Sequence, residues 1–181
     1  MQKHALKRNT IRNDAQTPPY ALEPILPFLE RVVKGGIIWE PACGEGLLAN
    51  ALRNHGFRVT GTDIKDEHDF LSMDIGNFSA VVTNPPHSNP LKYQFLERCY
   101  ELGKPFALLI PVETIGAARA QRLFQKHGAE WIFLDKRVDF KMPNKGWAGT
   151  AWMPTFWTTW GLNVGQPVSY AVLHKNGRKH D

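Results

Sequence analysis

The pattern that most narrows the fold of this chain lies in residues 37–63. It is a short apolar run, a glycine-bearing turn, a helical stretch, a second apolar run and then an acid. Ile37, Ile38 and Trp39 read as a buried strand, because a β-branched run this short has strand length rather than helix length. Glu40-Pro41-Ala42-Cys43-Gly44-Glu45-Gly46 turns out of that strand into a helix expected over residues 47–54, which Gly56 stops. Residues 57–62 form the next strand, which closes on Asp63. Strand, glycine turn, helix, strand and acid make the βαβ unit of a doubly wound nucleotide-binding sheet. Glycine lets backbone approach a ligand closely at the helix N-terminus. An acid about 20 residues later can grip a ribose diol, and Asp63 stands roughly that far after Gly44.

The turn departs from the dinucleotide pattern G-x-G-x-x-G: only Gly44 and Gly46 are present, and Glu40 sits where it faces the ligand. An acid there opposes a pyrophosphate and suits an ammonium, which points to a cofactor with a cationic amino-acid end. The plainer reading is a βα turn with no ligand. Glu40 and Asp63 together weigh against it.

The rest of the chain continues the alternation. Residues 1–16 lack apolar periodicity and read as a flexible basic arm; residues 174–181 read as a basic tail. Thr17-Pro18-Pro19-Tyr20 punctuates the entry to a helix whose greasy face is Leu22, Ile25, Leu26, Leu29, Val32 and Val33, ended by Gly35 and Gly36. Asp69, Phe70 and Leu71 read as a third short strand, with Asp69 placed to bond an adenine amino group and Asp74 a rival for that role. Strands follow over residues 80–83, 106–110 and 131–134, separated by helices over 90–102 and 117–127. Residues 137–140 are extended, 141–154 form a loop, and 155–162 and 168–173 return as strands. Strands alternating with helices imply one α/β domain, residues 17–173, with a mostly parallel sheet covered on both faces.

Val81-Val82-Thr83-Asn84-Pro85-Pro86-His87 runs a β-branched strand straight into two prolines. Neither proline has a backbone N–H, and each holds φ near −65°. Asn84 and Pro85 both precede a proline and are pushed toward extended backbone. The product is a stiff corner at a strand's carboxyl end that presents acceptors and few donors, as a site for an exocyclic amino group needs. The Asn84 side-chain oxygen and the Pro85 carbonyl can each accept one of its protons, drawing the nitrogen lone pair out of ring conjugation, while the His87 ring stacks on a flat heterocycle. Taken alone, the segment reads more simply as a stiff turn.

At 181 residues the chain is one domain by length, and 43% hydrophobic with 22% charged residues is ordinary for a globular protein. Cys43 and Cys99 give neither a disulfide framework nor a metal spacing, and the seven histidines show no zinc-binding pair, so no metal and a reducing cytoplasm are expected. No apolar run reaches membrane-spanning length, and the polar, basic start is not a signal peptide. The net charge of +5 favours polyanionic partners. In the 141–154 segment Lys141, Lys145 and Trp147 combine basic and aromatic character, the signature of contact with unpaired nucleotides. Trp157 and Trp160 read instead as core.

In this order, Glu40 to Gly46, Asp63 and Asn84-Pro85-Pro86 resemble the S-adenosylmethionine-dependent adenine-N6 DNA methyltransferases, and most of all their small phage-type members. The likeness runs from Thr17 to about Leu162. It implies a single Rossmann-like class I methyltransferase domain with a mostly parallel seven-stranded sheet. By resemblance Thr17 and Pro18 belong to a motif that closes over the methionine part of the cofactor. Glu40, Pro41, Ala42, Cys43, Gly44 and Gly46 form the cofactor loop, Asp63 with Ile64 holds the ribose side, and Asp69-Phe70 lies at the adenine edge. Asn84, Pro85, Pro86 and His87 are the catalytic motif, and Phe140 faces the target base, with Lys141, Lys145 and Trp147 reading the substrate. The fourth catalytic position is usually Tyr, Phe or Trp in the family, and His87 departs from that. No separate target-recognition domain is visible. The implied activity is methylation of the adenine amino nitrogen in duplex DNA by base flipping. The competing readings are methylation of an RNA base or a protein glutamine amide, and a non-catalytic cofactor or nucleic-acid binder.

Overall fold

A computed structural model of the chain describes residues 15–142, 146–147 and 153–175. Its sheet has seven strands: β1 (Ile37–Glu40), β2 (Arg58–Gly61), β3 (Ala80–Thr83), β4 (Phe106–Pro111), β5 (Glu130–Leu134), β8 (Thr155–Trp160) and β9 (Val168–Ala171). Two further two-residue strands, β6 (Lys141–Met142) and β7 (Gly146–Trp147), pair with each other outside this sheet. The order across the sheet is β2-β1-β3-β4-β8-β5-β9, and β8 alone runs antiparallel to its neighbours.

Four α-helices cover the sheet: α1 (Leu26–Val33), α2 (Leu47–Asn54), α3 (Leu91–Leu102) and α4 (Ala118–His127). Strand side chains alternate between two apolar layers. Ile38, Val82, Leu109 and Trp157 pack with Leu29 of α1 and Leu52 of α2. Trp39, Val81, Leu108 and Phe156 pack with Phe95 and Leu96 of α3 and Ala120 of α4 on the other side. Neighbouring residues serve opposite faces because strand side chains have period two. Burial on both faces explains why these strands read as continuous apolar runs. Trp157 donates from Nε1 to the Ala21 carbonyl at 2.7 Å, and Trp160 donates to the His127 carbonyl at 2.9 Å, so both tryptophans belong to the framework.

The structure differs from the sequence expectation at four places. Residues 69–71 form no strand. The Asp69 carboxylate accepts the Leu71 N–H at 3.0 Å and its carbonyl accepts the Met73 N–H at 2.8 Å. A short acidic side chain that captures a nearby backbone donor competes with a sheet ladder, and here it wins. The sheet therefore ends at β2 on that side, while the strand expected over 168–173 forms the opposite edge as β9. The first amphipathic stretch is split into a 3₁₀ turn, Pro19–Leu22, and α1; Pro24 between them lacks the donor and the space to continue a helix. Ala15 and Gln16, assigned above to the arm, are built into the fold: Gln16 is buried and exchanges two backbone hydrogen bonds with Lys141, at 2.8 and 3.0 Å. Finally, the 141–154 segment is not wholly loop, since it contains β6 and β7. Among the described residues no helix is long and apolar enough to cross a membrane.

Candidate functional site

A cavity of about 480 Å³ opens where β1, β2 and β3 end, lined by residues that follow each of them. Open α/β sheets bind ligands at that rim, and the volume suits a nucleotide-sized molecule.

The turn after β1 is fixed from several directions. The Cys43 N–H donates to the Thr62 carbonyl at 3.0 Å, and the Gly46 N–H donates to the Cys43 carbonyl at 2.7 Å. The Gly44 N–H reaches the Asp63 carboxylate at 2.7 Å, while the Glu45 N–H donates to Gln16 Oε1 at 3.1 Å. Gly44 has φ +53°, and a Cβ there would lie 2.1 Å from Gln16 Nε2, so both backbone and space require glycine. Gly46, at φ 81°, caps the N-terminus of α2.

Glu40, the last residue of β1, is 2% exposed and lines the cavity. Burial pushes its carboxyl up to about 8; a backbone hydrogen bond at Ala49 and the Arg53 charge pull the other way, and Asp63 adds to the rise. Its Oε2 has no hydrogen-bond partner. Two further oxygens on cavity-lining residues share that state, Thr17 Oγ1 and Asn84 Oδ1. Buried polar atoms without partners are rare and costly, of order 1–3 kcal/mol each. Three of these atoms belong to residues around one cavity, where a ligand bringing N–H donors could satisfy them. A buried acid among them suits a cation.

Asn84 follows β3. Its Nδ2 donates to the Ala15 carbonyl at 3.2 Å, and a carbonyl only accepts, so that bond fixes which end of the amide is oxygen. Pro86 lines the cavity beside it.

Asp63 accepts from the Lys65 N–H at 3.0 Å as well as from Gly44. A carboxylate offers about four acceptor positions, so lone pairs remain for a diol. Ile64 is 64% exposed at the cavity wall, a flat apolar surface where a ring can rest. Phe70 forms the inner wall, packed edge-on to Trp39 at 5.0 Å and tilted against Phe95 at 4.8 Å. Of the two rival acids, Asp69 lines the cavity, whereas Asp74 is exposed and accepts the Gly76 N–H.

The structure thus brings together Thr17, Glu40, Pro41, Ala42, Cys43, Gly44, Asp63, Ile64, Asp69, Phe70, Asn84 and Pro86 on one cavity. Pro18, Gly46, Pro85, His87, Phe140, Lys141 and Trp147 do not line it, and Lys145 lies outside the described residues. Sequence reasoning missed Gln16, His68 and Phe95 as lining residues. Gln16 carries no local signal, and Phe95 is also a buried core residue of α3, which is all that its spacing in the sequence signals.

His87 and Phe140 meet edge to face, with ring centroids 6.3 Å apart and planes at 82°. His87 Nε2 lies 3.1 Å from the Leu109 carbonyl, so that nitrogen carries the proton and donates. Burial pushes the imidazole down to about 4, aided by Lys92 and opposed by the Leu109 bond and Glu113. The ring is neutral at physiological pH. Phe140 is held through its neighbour Asp139, whose N–H donates to the Tyr20 hydroxyl at 2.7 Å and whose carboxylate pairs with Lys175 at 2.7 Å. Lys141 places its ammonium 2.9 Å from Glu45, and Trp147 pairs across from it in the small ladder, 39% exposed. Among the described residues no group of three His, Cys, Asp or Glu is arranged to hold a metal ion.

No family model and no curated protein matches the sequence. Solved structures do match the fold. The methyltransferase subunit of a type I restriction-modification system from Streptococcus thermophilus is similar over 94% of this chain and 50% of its own, at 17% identity and a TM-score of 0.56. A Pyrococcus horikoshii protein described as an RNA methyltransferase is similar over 74% of this chain and 77% of its own, at 14% identity and a TM-score of 0.50. The chain spans half the length of the first of these. At such identities the likeness is one of fold: this is a Rossmann-like α/β domain of the kind found in methyltransferases.

Proposed function

We propose that this protein transfers a methyl group from S-adenosylmethionine to the exocyclic amino nitrogen of adenine in DNA. The observation that carries the reading is the Asn84 amide, oriented by the Ala15 carbonyl with its Oδ1 unpartnered, on the wall of a cavity that also holds the unpartnered acid Glu40. The methyltransferase fold and the order of the motifs support it.

The residues present fit the cofactor. Glu40 and Thr17 hold oxygens ready for the ammonium end, Asp63 keeps lone pairs for the ribose diol, and Ile64 with Asp69 provides an apolar surface and an acceptor for the adenine. When bound, S-adenosylmethionine supplies an electrophilic sulfonium methyl whose leaving group is a neutral thioether. Asn84 Oδ1 and the Pro85 carbonyl accept the two amino protons of the target and concentrate its lone pair on nitrogen. Held by these two acceptors, the amine would present its lone pair to that methyl, and the one proton it sheds would pass from the corner to solvent. No strong base is needed; alignment supplies most of the rate. His87, neutral and pinned through Nε2, stacks on the base together with Phe140. The base reaches them by flipping, at a cost of a few kcal/mol. The net charge of +5 and the Lys141, Lys145 and Trp147 segment favour a nucleic-acid partner, which this reading takes to be duplex DNA. The restriction-modification role of the Streptococcus thermophilus neighbour supports the same substrate.

Transfer of tritium from labelled cofactor to duplex DNA, RNA and protein, followed by digestion to nucleosides, tests the reading. N6-methyl-2′-deoxyadenosine from the DNA is expected. Label only in RNA or protein would move the substrate, and none anywhere would leave a binding protein.

A further inference from the structure

We propose that Gln16 is a positioning residue: by tying the glycine turn to β6, it sets the Ala15 carbonyl that decides which end of the Asn84 amide faces the target amine. The inference rests on the methyl-transfer reading for its kinetic consequence but not for its structural one.

The two ends of a carboxamide are nearly equal in size, and nothing steric distinguishes them. Turned one way, Asn84 offers an acceptor to an amine; turned the other, it opposes the amine with a second donor. The hydrogen bond recorded for the Asn84 amide is Nδ2 to the Ala15 carbonyl, at 3.2 Å. The flipped amide would set two acceptor oxygens against each other there, which is why the bond selects one orientation. The chemistry at Asn84 therefore depends on where residue 15 lies. The Ala15 methyl packs against the core but offers no polar group to fix the direction of its carbonyl.

Gln16 provides the anchor. Its backbone N–H donates to the Lys141 carbonyl at 2.8 Å, and its carbonyl accepts the Lys141 N–H at 3.0 Å. Its side-chain oxygen accepts the Glu45 N–H at 3.1 Å, and its amide nitrogen fills the space a Gly44 side chain would need. The Lys141 ammonium then reaches Glu45 at 2.9 Å and closes the triangle. One buried glutamine thus links the cofactor turn, the strand that begins the substrate-reading segment, and the catalytic amide. It is 8% exposed although its neighbours in sequence carry no apolar signal.

The test uses the full chain labelled with ¹⁵N, and the variants Gln16→Met, of equal length without polar atoms, and Gln16→Glu, which keeps the acceptor. The side-chain NH₂ pair of Asn84 is assigned by its disappearance in Asn84→Ala. In the native protein one proton of that pair is expected to be shifted and protected from exchange. Gln16→Met should erase the protection and lower kcat at saturating cofactor by roughly tenfold to a hundredfold, the scale of a misplacement of about 1 Å at the reacting atom. The cofactor Kd should weaken by less than kcat falls. Gln16→Glu should keep both signal and kcat near native values. An unchanged Asn84 signal in Gln16→Met, or unchanged kcat, overturns the proposal. Should Gln16→Met fail to fold, loss of the signal in a folded Gln16→Glu overturns it as well. If the native protein methylates nothing, the amide signal still decides the role of Gln16 while the methyl-transfer reading falls separately.

Discussion

The two sides of the Asn84 corner are built in opposite ways. On the cofactor side, backbone bonds between close elements shape the cavity, and its defining group is an acid, Glu40, that burial pushes up to about 8. On the target side, rings from distant segments meet, His87 against Phe140, and burial pushes the imidazole down to about 4. Burial disfavours charge in both places. Under the proposed function, one side takes a cation that restores its charge, and the other keeps a ring neutral for stacking. The contrast separates a site tuned for binding from a site tuned for shape.

The comparison can be broken most decisively at the corner itself. Asn84→Ala should lower single-turnover methyl transfer by about 10²–10³-fold, the scale for loss of one preorganised catalytic hydrogen-bonding group. Its cofactor Kd by calorimetry should stay near the native value. A matching loss of cofactor affinity would put Asn84 on the wrong side of the divide.

Glu40→Gln should weaken the cofactor by roughly 10- to 100-fold, the range for a hydrogen bond to a charged group. Native Glu40 is mostly protonated at pH 7 before binding, so uptake of the ammonium should release about one proton, seen by calorimetry in buffers of different ionisation enthalpy. Affinity should tighten by up to about tenfold per pH unit below 8, and both effects should vanish in Glu40→Gln.

The pH dependence of stability sharpens the contrast further. Glu40 has a folded pKa of about 8 against an ordinary value of 4.5, so its contribution is fully present below 4.5 and is lost as pH rises toward 8. His87 has a folded pKa of about 4 against 6.5, so its contribution is present above 6.5 and is lost as pH falls toward 4. Between about 4.5 and 6.5 the two oppose each other, and above 6.5 only the Glu40 slope remains. Urea melts across pH should show Glu40→Gln flattening the alkaline limb and His87→Phe the acid limb. Curves unchanged by either substitution would remove the burial argument on that side. The smallest effect is expected at Lys141→Ala. Its ion pair with Glu45 is exposed and screened by solvent, so stability should barely change, while loss of one phosphate contact should reduce the salt slope of DNA binding by roughly one.

Legibility in the sequence divides along the same line. The βαβ unit and the Asn84 corner could be read because β-branched runs, glycine turns and prolines act on their immediate neighbours. The 47–54 helix and the 80–83 strand fall where periodicity places them. The misread at 69–71 has a local cause too: Asp69 takes the Leu71 N–H, and side-chain capture of backbone is hard to tell from a strand end in so short a run. Gln16 was illegible for a different reason. Its partners are Glu45, Gly44 and Lys141, so nothing within residues 1–16 marks it. The meeting of His87, Phe140 and the Leu109 carbonyl is likewise a product of tertiary packing, although the resemblance had named both rings.

The antiparallel placement of β8 bears on how the chain comes off the ribosome. The strands β1 to β4 can assemble as soon as β4 emerges, since β1, β2 and β3 pair only among themselves and with β4, whose other edge waits for β8. β5 cannot follow, because its hydrogen-bonded neighbours are β8 and β9, and both are synthesised after it. A nascent chain therefore carries β5 and the residues behind it without an edge to join until Trp160 has cleared the exit tunnel. The half-sheet that ends at β4 meanwhile exposes a row of unpaired backbone groups, and a ribosome stalled in that interval would present a template for aggregation.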